Sequence, residues 1–179
     1  MLKKVIAIDM QNAENIAKGM GLPYFPVKEF RSKIMQGNDV DVIEMLATVV
    51  LRVPEDETPE AKATVTAQVE KKQYALEMSG AKVIICPAKP TQGGGYKHSD
   101  DQRLMITTLS CCMKLRPDFL VFVGGDGDYA PMLWELRNEG IRIEVVADPK
   151  NLANDLRRVA YNVVDLNEIL RKIKEEMRA

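Results

Sequence analysis

The stretch Phe122–Leu133, FVGGDGDYAPML, decides how the chain is read. An apolar run, Phe119–Val123, stops at Gly124 and Gly125. Asp126, Gly127 and Asp128 follow, and then a helix-like segment. A buried strand thus ends in a glycine-rich turn that carries two carboxylates one residue apart. Like charges about 4 Å apart, at an effective dielectric near 20, repel by roughly 4 kcal/mol. Something must offset that cost, and the flanking sequence shows the same pattern recurring.

Working outward, short apolar runs alternate with helical patterns. Strands are expected at Lys3–Asp9, Met45–Pro54, Ala81–Pro87, Asp118–Val123, Ile141–Asp148 and Tyr161–Leu166, with Pro54 closing the second. Helical patterns cover Ala13–Met20, Val27–Gly37, a stretch ending at Gly80, Asp100–Leu115, Tyr129–Gly140, Asn151–Ala160 and the basic-ended Leu166–Ala179. Between them Ala88–Ser99, with three consecutive glycines, reads as a flexible loop. This alternation, with its continuous Val/Ile runs, predicts an α/β layer structure around a mostly parallel central sheet. No linker or repeat interrupts it, so one domain spanning residues 1–179 is expected.

Composition narrows the partners. The 179 residues are 46% apolar and 28% charged, with a net charge of −1. Nothing global draws such a chain to nucleic acid or to an anionic membrane, so a polyanion site must be a local patch. No apolar run reaches membrane-spanning length. The opening MLKKVIAIDM reads as a first strand rather than a signal peptide, and a cytoplasmic location is expected. Cys86, Cys111 and Cys112 have no CxxC or zinc spacing and read as reduced structural thiols. The ten methionines suggest core filler or an oligomer interface, which leaves a homo-oligomer open.

In open α/β sheets, ligands bind beyond the carboxyl ends of the strands. Acidic residues recur at those ends. Asp9 ends the first strand, with Asn12 three residues on. Asp126 and Asp128 follow the fourth, Asp148 ends the fifth, and Asp100 and Asp101 open the helix after the glycine loop. Carboxylates converging without arginine partners suit a hard divalent cation, Mg²⁺ or Mn²⁺. Such an ion relieves their repulsion, polarises a phosphate and activates a water. Gly124, Gly125 and Gly127 let the backbone turn sharply and a substrate approach closely. Each acid alone has a plainer use. Asp128 could cap the helix at Tyr129, Asp100 could cap its own helix, and Asp9 could sit in a turn. Their joint placement favours a site, whereas Asp101 and Asp148 are the weaker candidates.

Three motifs resemble the NYN domains, which are PIN-like nucleases, and among them the LabA-like branch. IDMQN at Ile8–Asn12 looks like their Ile-Asp-x-x-Asn opening. KHSD at Lys97–Asp100 is similar to their Lys-x-x-Asp element, and GGDGDYAPML at Gly124–Leu133 to their Ser-Gly-Asp-x-Asp-Phe-x-Pro element. LRNEGIRIEVV, Leu136–Val146, resembles its usual continuation, and the order fits from Lys3 to about Leu166. The resemblance implies a three-layer α/β/α, Rossmann-like fold and metal-dependent hydrolysis of RNA. By motif position it implies metal-binding roles for Asp9, Asp100, Asp126 and Asp128, and a supporting role for Asn12. The chain departs from the pattern at Gly124, where Ser is usual, at Met105–Ile106, where a further Asp is frequent, and at Tyr161, where Asp is common.

Around these acids, Lys97 is expected to contact phosphate or orient the carboxylates, and His98 to be a solvated loop histidine. Lys89, Lys97 and Arg103 offer a basic rim, with Tyr24, Phe25, Tyr96 or Tyr129 to stack bases. Tyr129 and Trp134 fit core packing equally well. A metal-dependent ribonuclease acting on single-stranded or structured RNA is the first functional expectation. A module that binds RNA or protein and cleaves little is the second, since the net charge is near neutral and an acidic position is missing. GGDG also resembles the phosphate-binding turn of NAD and lipid kinases, but these usually continue with Thr, and Asp128 stands there instead.

Overall fold

The computed structural model describes residues 1–37, 39–53 and 57–178. Seven strands form one sheet: β1 Leu2–Ile8, β2 Val40–Arg52, β3 Lys82–Pro90, β4 Tyr96–Lys97, β5 Phe119–Val123, β6 Arg142–Ala147 and β7 Asn162–Asp165. Their order is β4-β3-β2-β1-β5-β6-β7. All neighbours are parallel except β3 and β4. The helices are α1 Met10–Gly19, α2 Val27–Ile34, α3 Pro59–Met78, α4 Asp100–Leu115, α5 Ala130–Asn138, α6 Asn154–Val159 and α7 Leu166–Arg178. A single 3-10 turn, Gly127–Tyr129, precedes α5.

The strand residues alternate between two cores, because side chains along a strand point to opposite faces. Ile6, Ile8, Val121 and Val123 pack with Ala13 and Ala17 of α1, Phe30 of α2 and Leu166, Leu170 and Ile173 of α7. Val5, Ala7, Leu120 and Phe122 face the other way, onto Leu104 and Cys112 of α4, Leu133 and Leu136 of α5 and Leu156 and Val159 of α6. Helices therefore cover both faces, in three layers. Leu166, Leu170 and Ile173 recur at i, i+4, i+7 and give α7 one apolar stripe. Strand order reverses at β1 and β5, which lie side by side at the centre with Ile8 opposite Val123. That reversal opens a crevice at the carboxyl edge.

Two expectations change in detail. β2 begins at Val40, not Met45, pairing with β1 from Leu2 onward. Its proposed stop at Pro54 lies outside the described residues. Ala88–Ser99 is not an open loop throughout. β3 runs on to Pro90, and Lys89 and Pro90 pair with Lys97 and Tyr96 in an antiparallel hairpin. Its turn is closed by Thr91 N–H to Gly95 O at 2.8 Å, and Gly94 sits at φ +82°, where a side chain is strained. Among the described residues, no helix is long and apolar enough to cross a membrane.

Candidate active site

Asp9 follows β1 as the N-cap of α1, and its Oδ1 accepts the Asn12 N–H at 3.2 Å. Its own N–H donates to Val123 O at 2.9 Å, which ties it to the strand bearing the second acidic turn. Asp126 caps the 3-10 turn, its Oδ1 accepting the Asp128 N–H at 2.9 Å. The plain capping role thus falls to Asp9 and Asp126. Asp128 is exposed and makes no such bond, and Asp100 is the first residue of α4, behind Ser99 as N-cap. Each capping carboxylate commits one oxygen and leaves the other for a ligand.

Asp100 is different. It is only 5% exposed, yet no hydrogen bond or ion pair reaches its side chain among the described residues. Its carboxylate lines an open cleft. The Asn12 side-chain oxygen is also buried and without a donor.

Electrostatics link these groups. Burial pushes the Asp9 carboxyl up to about 6, opposed by the Asn12 N–H and reinforced by the charges of Asp101, Asp100 and Asp126, in that order. Asp101 is raised too, first by burial, with the charges of Asp100, Asp126 and Asp128 adding and a hydrogen bond from Tyr129 opposing. Tyr129 Oη donates to Asp101 Oδ1 at 2.8 Å, and burial lifts its phenol far above the usual range. Asp100, Asp101 and Asp126 thus all bear on Asp9, and Asp100, Asp126 and Asp128 on Asp101. Asp101, a weak candidate by sequence, lies in the middle. Asp148 does not join them. It organises its own turn, accepting from Lys150 N–H, Asn151 Nδ2 and Asn167 Nδ2.

The basic rim differs from expectation. Lys97 is exposed on the hairpin, without a side-chain contact to the acids. His98 Nε2 lies 3.3 Å from Arg52 Nη2 at the end of β2. Arg103 Nη1 turns to Ile85 O at 3.5 Å. Beside Asp100, a cleft of about 400 Å³ is lined by Gln11, Asn15, Lys18, Arg52 and Lys72. Its cations come from α1, β2 and α3, which no local motif could have grouped. A second cleft, beyond Asp128, has Met105 and the partly exposed Trp134 in its wall. Phe25 and Tyr129, expected to stack bases, are 3% and 1% exposed and cannot do so. Burial pushes the Cys86 and Cys112 thiols up to about 11 and about 12, so they remain protonated structural groups.

The glycines act by packing more than by turning. None of Gly124, Gly125 and Gly127 has a positive φ. A Cβ at Gly124 would lie 3.0 Å from the Phe122 ring and 3.2 Å from Asp9 Cβ, so a serine there would require one of these neighbours to shift. One at Gly125 would come within 2.9 Å of Asn151 O.

The donor set is all oxygen, as hard divalent cations require. One buried oxygen, Asn12 Oδ1, lacks a partner there, and Asp100 lines the adjoining cleft without a hydrogen bond, so the donor chemistry fits such an ion. Among the described residues, however, no three His, Cys, Asp or Glu side chains are already gathered around one point.

Helices on both faces of a mostly parallel sheet, with acids at its switch point, define a PIN-like α/β domain, a nuclease-type fold. The NYN domain family model matches residues 3–167, and the chain belongs to that family. NYN domains are generally nucleases. A solved protein of unknown function from Vibrio parahaemolyticus shares the fold, with TM-score 0.71 and 18% identity over 94% of each chain. A Glycyrrhiza uralensis structure with bound glycyrrhetinic acid 3-O-monoglucuronide has TM-score 0.38 and 18% identity, over 83% of this chain and 28% of that one. At that TM-score it supports nothing about fold or function. No curated protein matches the chain.

Proposed function

We propose that the chain is a metal-dependent ribonuclease whose acidic site binds Mg²⁺ or Mn²⁺ and hydrolyses RNA phosphodiester bonds. The observation that carries this is the recurrence of Asp9, Asp100 and Asp126 at the carboxyl edge of the sheet, with Asp100 lining the cleft there and the Asn12 side-chain oxygen left without a donor. Asp9, Asp100, Asp126 and Asp128 would hold the ion, with Asn12 supporting Asp9 from α1. The chemistry the ion supplies when bound is polarisation of a phosphodiester and activation of a water. Asp9 and Asp126 are held in place by their caps, so their free oxygens are oriented before substrate arrives. Lys18, Arg52 and Lys72 attract the RNA backbone along the cleft that leads to Asp100. Lys97, exposed on the hairpin that precedes Asp100, would be free to contact phosphate.

A catalytically weak RNA- or protein-binding module is the second reading. It is favoured by Ile106, which stands exposed where a further acid is frequent, and by the lack of three gathered ligands. Incubation of purified protein with single-stranded and structured RNA, in Mn²⁺ and then in EDTA, separates the two. Cleavage in Mn²⁺ that EDTA stops supports the nuclease. Retention of RNA without cleavage supports the module.

A further inference from the structure

We propose that the cleft beside Asp100 is a nucleobase subsite, selective for adenine, that receives the nucleotide next to the bond to be cut. The inference rests on the ribonuclease reading above and adds a base to what was there only a track for the RNA backbone.

Two helix faces meet across this cleft. On α1, Gln11, Asn15 and Lys18 recur at i, i+4, i+7, and on α3, Val65, Gln68 and Lys72 recur at i, i+3, i+7, so each set shares one side of its helix. An ion pair of 2.6 Å between Glu14 and Lys72 braces the two helices. The floor is β2. Its pairing with β1 ends at Ala47, opposite Ile8, yet the strand runs on to Arg52, and the alternate residues Thr48, Val50 and Arg52 line the cleft. Among the described residues no strand covers that flank beyond Ala47, which leaves main-chain N–H and C=O groups unpaired there.

A nucleobase is apolar on its two faces and polar along its edges, and the lining is divided in the same way. Val50, Val65 and Val69 offer methyl groups, while Gln11, Asn15 and Gln68 offer amides. None of these amides has a side-chain hydrogen bond among the described residues. Solvated helix faces carry amides too, but here three converge from two helices on a cleft of about 400 Å³, a size usual for small-ligand sites. An amide presents a donor beside an acceptor. Adenine offers the matching pair along both its Watson–Crick edge and its N7 edge, whereas the N7 edge of guanine carries two acceptors. Arg52, whose fork would suit guanine, is turned to His98, Nη2 to Nε2 at 3.3 Å. Gln11 stands two residues after Asp9, and Asp100 lines the cleft itself, so a base held here belongs to a nucleotide beside the acidic edge. Its edges must be free of a pairing partner, which requires single-stranded RNA.

The test is binding of short labelled oligo(A), oligo(C) and oligo(U) to the full chain, followed by fluorescence anisotropy in EDTA so that nothing is cut. The parent should hold oligo(A) about tenfold more tightly than the other two. Gln11→Ala and Gln68→Ala should each bring that ratio toward one, whereas Lys18→Gln should weaken all three oligomers alike and keep it. Gln11, Gln68 and Lys18 are exposed on helices, so melting temperatures should stay near that of the parent. Equal affinity of the parent for the three oligomers, a preference for another base, or an adenine preference that survives both changes to Ala overturns the inference. Mn²⁺-dependent cleavage by a parent without adenine preference defeats the subsite alone. Adenine preference without cleavage in Mn²⁺ defeats the ribonuclease reading and leaves a base-binding site standing.

Discussion

The backbone N–H of Asp9 is hydrogen-bonded to the carbonyl of Val123 at 2.9 Å, and this bond sets two acidic turns side by side. β1 and β5 are parallel, so Asp9 and Asp126 leave the same edge of the sheet. Charges placed this close should be visible in stability, in catalysis and in the response to salt.

Stability should depend on Asp9. Its folded pKa of about 6 lies above the ordinary 3.8, so between these values the folded chain holds more protons than the unfolded one. Stability in EDTA should therefore fall as pH rises from about 4 to about 6, by up to about 3 kcal/mol from this group. Asp101, also raised, acts in the same direction. Asp9→Asn, which can still accept the Asn12 N–H, should flatten that slope and stabilise the metal-free protein at pH 7. Urea unfolding at several pH values checks this, and an unchanged slope in the variant would exclude Asp9 as its source.

Asp126→Asn separates charge from shape. An Asn oxygen can still accept the Asp128 N–H, so the 3-10 turn should survive and the metal-free melting temperature should hold or rise. Mn²⁺-dependent RNA cleavage should drop by about 100-fold or more. Cleavage at the parent rate would reduce Asp126 to a turn residue.

The glycine turn tolerates no Cβ at its second position. Gly125→Ala brings a methyl to within 2.9 Å of Asn151 O, where the contact is backbone and cannot swing away. A loss of about 1–3 kcal/mol is expected in denaturant unfolding. Gly124→Ser presses on Phe122 and Asp9 instead, so it should also weaken Mn²⁺ binding.

Salt should report the cleft. If Lys18, Arg52 and Lys72 follow a single-stranded backbone, each change to Gln should lower the slope of log affinity against log salt by about 0.7. Binding measured from low to moderate salt distinguishes this from a change in folding. Lys72→Gln also breaks the 2.6 Å ion pair with Glu14, so Lys18 and Arg52 give the cleaner result.

Much of the fold is legible in the residues because buried parallel strands are continuous apolar runs. β1, β5 and β6 appear in the sequence almost as they stand, each with its acid at the end. The start of β2 is obscured by Asp41 and Glu44, which interrupt the apolar run before Met45. β4 is two residues long and held by pairing with Lys89 and Pro90, so no local pattern marks it. At the site, Asp9 and Asp126 stand out by position, but Asp101 does not. Its partner Tyr129 lies 28 residues further along, and in isolation a first-turn acid looks like any other. Phe25 is buried rather than a stacking surface, and Tyr129 takes the core place that the sequence equally allows, because aromatic rings beside loops can still face inward.

Inserting β5 directly beside β1 has a consequence for the chain as it is made. Asp9 emerges early from the ribosome and Asp126 late, so the two acidic turns meet only once β5 has been made. A partial chain that stops short of β5 has half the crevice and none of the second acidic turn. The proposed cleavage of RNA would thereby be withheld until synthesis has passed the fifth strand, while the growing chain is still surrounded by the RNA of the machine producing it.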